Sequence, residues 1–166
     1  MPIHVNKERL RDFLNQRSQA SEWLLVDQRM IDAYAHLTRD RQYIHVDTER
    51  AKSSPLGATV AHGLLTLSLM PALLAPIQLR PGGGAMELFC GLDRLRFIEP
   101  VRVNSRIRAR TTLINITDIS PVRVLLRTRV VAEIERACKP ALEAESLSIW
   151  VMDGLNNGPD SIANSK

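Results

Sequence analysis

Val60-Ala-His-Gly63-Leu-Leu-Thr-Leu-Ser-Leu-Met-Pro71-Ala-Leu-Leu-Ala-Pro-Ile77 is the most apolar run in the chain, and its reading decides the fold. His62, Gly63, Pro71 and Pro76 interrupt it, so it lacks the roughly 20 unbroken apolar residues of a membrane span. It reads instead as a long, buried central helix. Pro71 has no amide to give that helix, so a kink or break is expected near it. A helix this apolar needs cover on most of its surface. The chain downstream can supply that cover. Segments 86–98, 105–117, 121–134 and 143–152 are rich in Val, Ile, Leu and Thr, with partial alternation. Ile107, Ala109, Thr111 and Leu113 alternate with Arg106, Arg108, Arg110 and Thr112, and Ser120-Pro121 marks a tight reversal. The expected architecture is α+β, an antiparallel sheet wrapped around a long central helix.

Upstream of that run, residues 5–17 read as a short amphipathic helix, with Val5, Leu10, Phe13 and Leu14 on one face. Residues 22–26 read as a strand. Asp27 then has the chemistry of an N-cap, with Val26 and Ile31 placed for a hydrophobic staple. The helix that follows carries Ile31, Tyr34, Ala35 and Thr38 on one side. Residues 38–47 lose this period and read as a loop, after which Asp47 can cap a short helix reaching about Lys52. Ser53 to Gly57 is turn-rich, and Pro81 to Gly84 is a loop whose glycines lack the Lys-Ser/Thr of a phosphate loop. Residues 1–152 are expected to form a single domain with 1–20 as a helical extension, and 153–166 a disordered tail.

The chain has 166 residues, 45% hydrophobic and 24% charged, as in ordinary soluble domains able to bury a core. A net charge of +4 is compatible with phosphate-bearing partners. The basic residues form no stripe and aromatics are only 4%, which argues against a nucleic-acid partner. Cys90 and Cys138 sit in no CxxC, and the first residues show no apolar signal core. A reduced, cytoplasmic protein is the simplest expectation. His4, His36, His45 and His62 have no metal-ligand spacing, and Ser53, Ser54 and Ser68 no nucleophile-elbow context.

The sharpest chemical feature is Asp40-Arg-Gln-Tyr-Ile-His45-Val-Asp47. On a regular helix, an acid and an imidazole five positions apart lie on well-separated sides, so they meet only if the segment turns. Together they could hold one water and move protons to and from it. Spacing alone equally allows a capping aspartate and a solvated loop histidine. The second feature is Val60-Ala-His62-Gly63-Leu. A glycine opening a helix exposes first-turn amides, which could stabilise charge developing on a carbonyl oxygen. It could equally serve close helix–sheet packing.

Ala35-His-Leu-Thr-Arg-Asp40-Arg-Gln-Tyr-Ile-His45-Val-Asp47, followed by Ala61-His62-Gly63-Leu-Leu-Thr-Leu-Ser, resembles the MaoC-like dehydratase family, which includes the (R)-specific enoyl-CoA hydratases. The texture is most similar to its nodulation-protein-N-like branch. Gly91-Leu-Asp-Arg-Leu-Arg96-Phe97-Ile-Glu-Pro100-Val101 resembles the family's first long strand after the helix, and the likeness covers about residues 20–152. It implies a hot-dog fold and a hydro-lyase acting on enoyl-CoA or 3-hydroxyacyl thioesters, with acyl-CoA as substrate and no cofactor or metal. It further implies a homodimer with the substrate entering near the subunit interface. Asp40 and His45 take the positions of the family's acid–base pair, and Gly63 that of its oxyanion donor. Gln42, Tyr43, His62 and Arg96 are the expected substrate contacts, Arg96 through CoA phosphates. Two departures stand out. Arg39 occupies a position that is usually glycine, and Gln42-Tyr43 replaces the common Asn-Pro. Rival expectations are a hot-dog thioesterase and a non-catalytic acyl-CoA-binding protein.

Overall fold

The computed structural model describes residues 3–82 and 86–152. The expected tail 153–166, and Gly83 and Gly84 of the glycine run, lie outside the described residues. The chain runs β1 (Ile3–Val5), a 3₁₀ helix (Lys7–Phe13), β2 (Leu24–Val26), α1 (Gln28–Thr38), α2 (Tyr43–Val46), α3 (Thr48–Lys52), α4 (Gly63–Ser68), α5 (Met70–Leu74), β3 (Leu79–Pro81), β4 (Met86–Phe97), β5 (Ser105–Ser120), β6 (Arg123–Ile134) and β7 (Leu142–Val151). Five strands make one antiparallel sheet in the order β2-β5-β6-β7-β4, while β1 and β3 pair in parallel beside it. This curled sheet with α4 and α5 on its inner face is an α+β hot-dog fold.

Alternation sorts the sheet residues between two faces. Ile107 and Ala109 of β5, Val130 and Ala132 of β6, and Leu142 and Ala144 of β7 face inward, in one core with Leu65, Met70 and Leu73 of the helices. Ala109 pairs with Ala132, and Val130 with Ala144. These small side chains on three adjacent strands let the helices approach the sheet closely. The second core, around Trp150, Val124 and Leu126, is covered by Val5 and Leu10 of the N-terminal segment.

The central helix is not one continuous rod. Val60 and Ala61 are extended, with the Ala61 amide donating to Val101 O, so helix starts only at Gly63. Leu69 separates α4 from α5, and Pro71 falls in the first turn of α5, where a missing amide costs little. The break is thus near the expected proline. The expected helix over 5–17 is shorter and tighter. After Phe13 the amides of Asn15 and Ser18 donate to Leu113 O and Thr111 O, so the chain joins β5 instead of continuing as helix. The stretch 38–47 is not all loop either. Tyr43 to Val46 form a single helical turn, closed by the Asp47 amide donating to Tyr43 O. One turn is too short to show a period in sequence.

Both expected caps form. Asp27 accepts from the Met30 amide at 2.9 Å and Asp47 from the Arg50 amide at 3.0 Å. Val26 and Ile31, flanking the first cap, are fully buried in the main core.

Candidate active site

The site gathers at the N-terminal end of α4. The turn α2 carries His45, which is 7% exposed. Its Nδ1 lies 2.7 Å from Val60 O, and a carbonyl can only accept, so Nδ1 carries the proton and Nε2 keeps its lone pair. The backbone of His45 is fixed as well, because Gln28 Nε2 donates to His45 O at 2.7 Å while Thr59 Oγ1 donates to Gln28 Oε1. Burial is the largest influence on the imidazole and pushes its pKa below the ordinary 6.5; the bond to Val60 and the charge of Asp40 oppose this, and His62 adds to it.

His62 is 4% exposed and stacks on His45, with ring centroids 3.7 Å apart and planes 23° from parallel. Its Nε2 donates to the backbone oxygen of Asp40 at 3.0 Å. The Asp40 carboxylate is further off, at 3.9 Å, so the carbonyl is the true partner. The other ring nitrogen, Nδ1, is buried without a partner. Tyr34 packs on the open side of this ring, centroids 5.1 Å apart.

Asp40 is carried by the short connection between α1 and α2. Its Oδ1 accepts from the Gln42 amide, and its side chain is 55% exposed. One donor atom each from Asp40, His45 and His62 lies within 4.8 Å of the others. A cation could bridge that spacing, but His45 Nδ1 and His62 Nε2 are already engaged by backbone carbonyls. The arrangement suits a carboxylate and an imidazole sharing one water better than a chelate.

Gly63 opens α4, so its amide has no intrahelical acceptor. A Cβ here would lie 3.1 Å from the Phe97 ring, so glycine lets that ring pack against the first turn of α4. Val46 and Leu64, each next in sequence to a site residue, and the Phe97 ring are exposed.

The structure therefore brings together Asp40, His45, His62 and Gly63. Gln42 is exposed beside Asp40, and Tyr43 is half-buried with the Arg50 guanidinium 3.9 Å from its ring centroid. Arg96 is not brought to this group. It pairs with Glu143 while Phe97 pairs with the inward Leu142, so Arg96 faces outward, and its guanidinium donates to Leu95 O. Val60 O, Gln28 and Phe97 escape a reading of the sequence. The first is a backbone group, Gln28 is an ordinary first-turn polar residue, and Phe97 looks like any strand aromatic.

A hot-dog fold with a buried, oriented histidine near a carboxylate at the start of α4 fits a hydro-lyase of the hydratase/dehydratase kind. Comparison with known proteins agrees. The model of the MaoC like domain matches residues 9–134, and the chain belongs to that family. It is 40% identical over 150 residues to Nodulation protein N of Rhizobium leguminosarum bv. viciae, covering 90% of this chain and 92% of that protein. It is 37% identical over 131 residues to 3-hydroxyacyl-thioester dehydratase Z of Mycobacterium tuberculosis, covering 79% and 86%. The crystal structure of the MaoC-like dehydratase from Rhodospirillum rubrum shares the fold, with TM-score 0.72 at 23% identity over 88% of this chain and 98% of that one.

Proposed function

We propose that this protein reversibly hydrates trans-2-enoyl thioesters to (R)-3-hydroxyacyl thioesters, with Asp40 and His45 as the acid–base pair. The observation that carries the reading is the His45 Nδ1 bond to Val60 O, which leaves a neutral imidazole with its basic nitrogen free beside a carboxylate. In the hydration direction, Asp40 orients a water and Nε2 of His45 takes its proton as the oxygen bonds to the β carbon. The thioester carbonyl oxygen gains negative charge, accepted by the Gly63 amide at the positive end of α4. His45 then returns the proton to the α carbon, and Asp40 stays ionised throughout. No metal or redox carrier enters these steps, because the thioester supplies the activation. In this reading Gln42, whose amide donates to Asp40, and Tyr43 contact the substrate.

Within one chain the pair opens to solvent through Asp40, and the exposed Val46, Leu64 and Phe97 lack cover. We assign that cover to the acyl substrate and a second copy of the chain. β4 is an edge strand with Met86, Leu88 and Phe89 exposed, which suits edge-to-edge pairing into a homodimer. Sedimentation at micromolar concentration is expected to give a dimer, and a monomer refutes this part.

The test is spectrophotometric hydration of crotonyl-CoA by the wild type, Asp40→Asn and His45→Gln. Each variant is expected to lose about a hundredfold in kcat, the scale of a general acid–base contribution. Equal turnover by all three overturns the assignment.

A further inference from the structure

We propose that the trough between the α4–α5 helices and the inner face of β4, β6 and β7 receives an acyl chain bearing an uncharged hydroxyl far from its thioester. This deepens the hydration reading and rests on it.

Gly63, Leu67, Met70 and Leu74 are spaced 4, 3 and 4 positions apart, so they share one face of the helix pair. That face starts at the proposed oxyanion donor. At about 1.5 Å per residue it runs roughly 16 Å to Leu74. Opposite it, Phe97, Leu92, Phe89 and Glu87 are the inward residues of β4, since they pair with the inward Leu142, Ser146, Ser148 and Trp150 of β7.

Between these walls lies a cavity of about 440 Å³ lined by Leu67, Met70, Pro71, Leu74, Phe89 and Leu92 among others. A second cavity of about 390 Å³ continues it, and both are lined by Leu74, Gln78, Glu87, Val130, Ser146 and Ser148. The character of the lining changes along this path. The part next to α4 is aliphatic and aromatic. The shared part has a floor of hydroxyls. Ser146 pairs with Thr128, and Ser148 follows two residues on, so all three side chains emerge on the inner face. Thr128 lines the second cavity only, and among the described residues none of the three hydroxyls makes a side-chain hydrogen bond within the protein. The Ser148 hydroxyl opens to the cavity, where water satisfies it until a ligand takes that place.

An unbranched alkyl tail would leave these groups unpaired, whereas a hydroxyl on the chain can both donate to and accept from them. Glu87 sets the charge preference. Its carboxylate accepts from Gln78 Nε2 at 3.3 Å and lies 3.9 Å from Arg80, and it is the one charged group among the lining residues the two cavities share, so a chain ending in a second carboxylate meets no free cation there.

The experiment compares trans-2-enoyl-CoA substrates of increasing length in three forms: plain alkyl, ω-hydroxy and ω-carboxy. Once the chain is long enough to reach the floor, kcat/KM for the ω-hydroxy form is expected to exceed that for the plain form about tenfold. The ω-carboxy form should be the poorest of the three. In Ser148→Ala the ω-hydroxy to alkyl ratio is expected to fall toward one, and a ratio is insensitive to any loss of folded enzyme. Crotonyl-CoA with the wild type separates the two claims. Turnover of crotonyl-CoA with no ω-hydroxy preference at any length overturns the trough assignment and leaves the hydration reading standing. Absence of hydration for every enoyl-CoA overturns both.

Discussion

A histidine works as a base only while it is neutral, and the surroundings of His45 favour that form. Burial pushes its pKa below the ordinary 6.5, and the neighbouring His62 ring acts in the same direction. The acid limb of kcat/KM against pH is therefore expected to have its midpoint below 6.5; a midpoint above 6.5 excludes His45 as the titrating base. The same shift acts on stability. As pH falls below 6.5, the unfolded chain takes up a proton that the folded chain refuses, so acidification weakens the fold through this residue. His62 contributes differently. It touches Asp40 through Nε2 alone, by way of a backbone carbonyl, and so fixes where the carboxylate stands relative to His45. Glutamine can place an amide nitrogen where Nε2 lies, while asparagine reaches only as far as Nδ1. His62→Gln is expected to keep most of kcat. His62→Asn and His62→Ala should lose about tenfold with little change in KM, the scale of one hydrogen bond. Equal behaviour of Gln and Asn at this position would rule out the Nε2 contact as its function. The residue types of the pair were readable from Asp40-Arg-Gln-Tyr-Ile-His45, but their convergence was not. It depends on a carbonyl 15 residues away, and spacing along a chain carries no information about such a partner.

At the scale of elements, α1 ends on a residue that fits its backbone poorly. Arg39 adopts φ 66° and ψ 7°, the left-handed conformation that usually follows a helix and favours glycine. A side chain there costs about 1–2 kcal/mol, partly offset because glycine is freer in the unfolded chain. Arg39→Gly is accordingly expected to stabilise the protein by about 0.5–1 kcal/mol, or about 1–4 °C in Tm, while Arg39→Val, β-branched, destabilises it. A calorimetric scan in which glycine lowers Tm contradicts this account. The position also shows which elements were legible. Asp27 and Asp47 declared their helices because a cap is a local bond, made within three residues. β5 and β6 declared themselves because alternate residues truly separate core from solvent. The N-terminal segment did not, since Val5, Leu10 and Phe13 suit a helix face equally well. Only its bonds to Leu113 and Thr111, about a hundred residues on, decide its path.

For the molecule as a whole, the inward face of the sheet packs against the helices and the outward face carries the charge. Arginines of that outer face are joined in a network. Arg17, Arg108 and Arg110 all bond to Glu133, at 2.9, 2.7 and 3.0 Å, and Arg108 also lies over the Trp23 ring at 4.5 Å. These contacts tie the N-terminal segment to β5 and β6. Burial pushes the Glu133 carboxyl up, yet the bonds and charges of Arg108 and Arg110 outweigh this and hold it below its ordinary value. One carboxylate thus screens three guanidiniums from each other across the sheet. Isolated surface pairs contribute little, but removal of a shared counter-charge leaves like charges adjacent. Glu133→Gln keeps the shape and removes the charge, so it is expected to destabilise the fold by about 1 kcal/mol at low ionic strength. At 1 M salt, where screening acts over only about 3 Å, most of that difference should vanish. Thermal unfolding of the wild type and the variant at both salt concentrations measures the effect. A deficit that is the same at both would show that Glu133 acts through packing and hydrogen bonding and not by balancing the charge of the outer face.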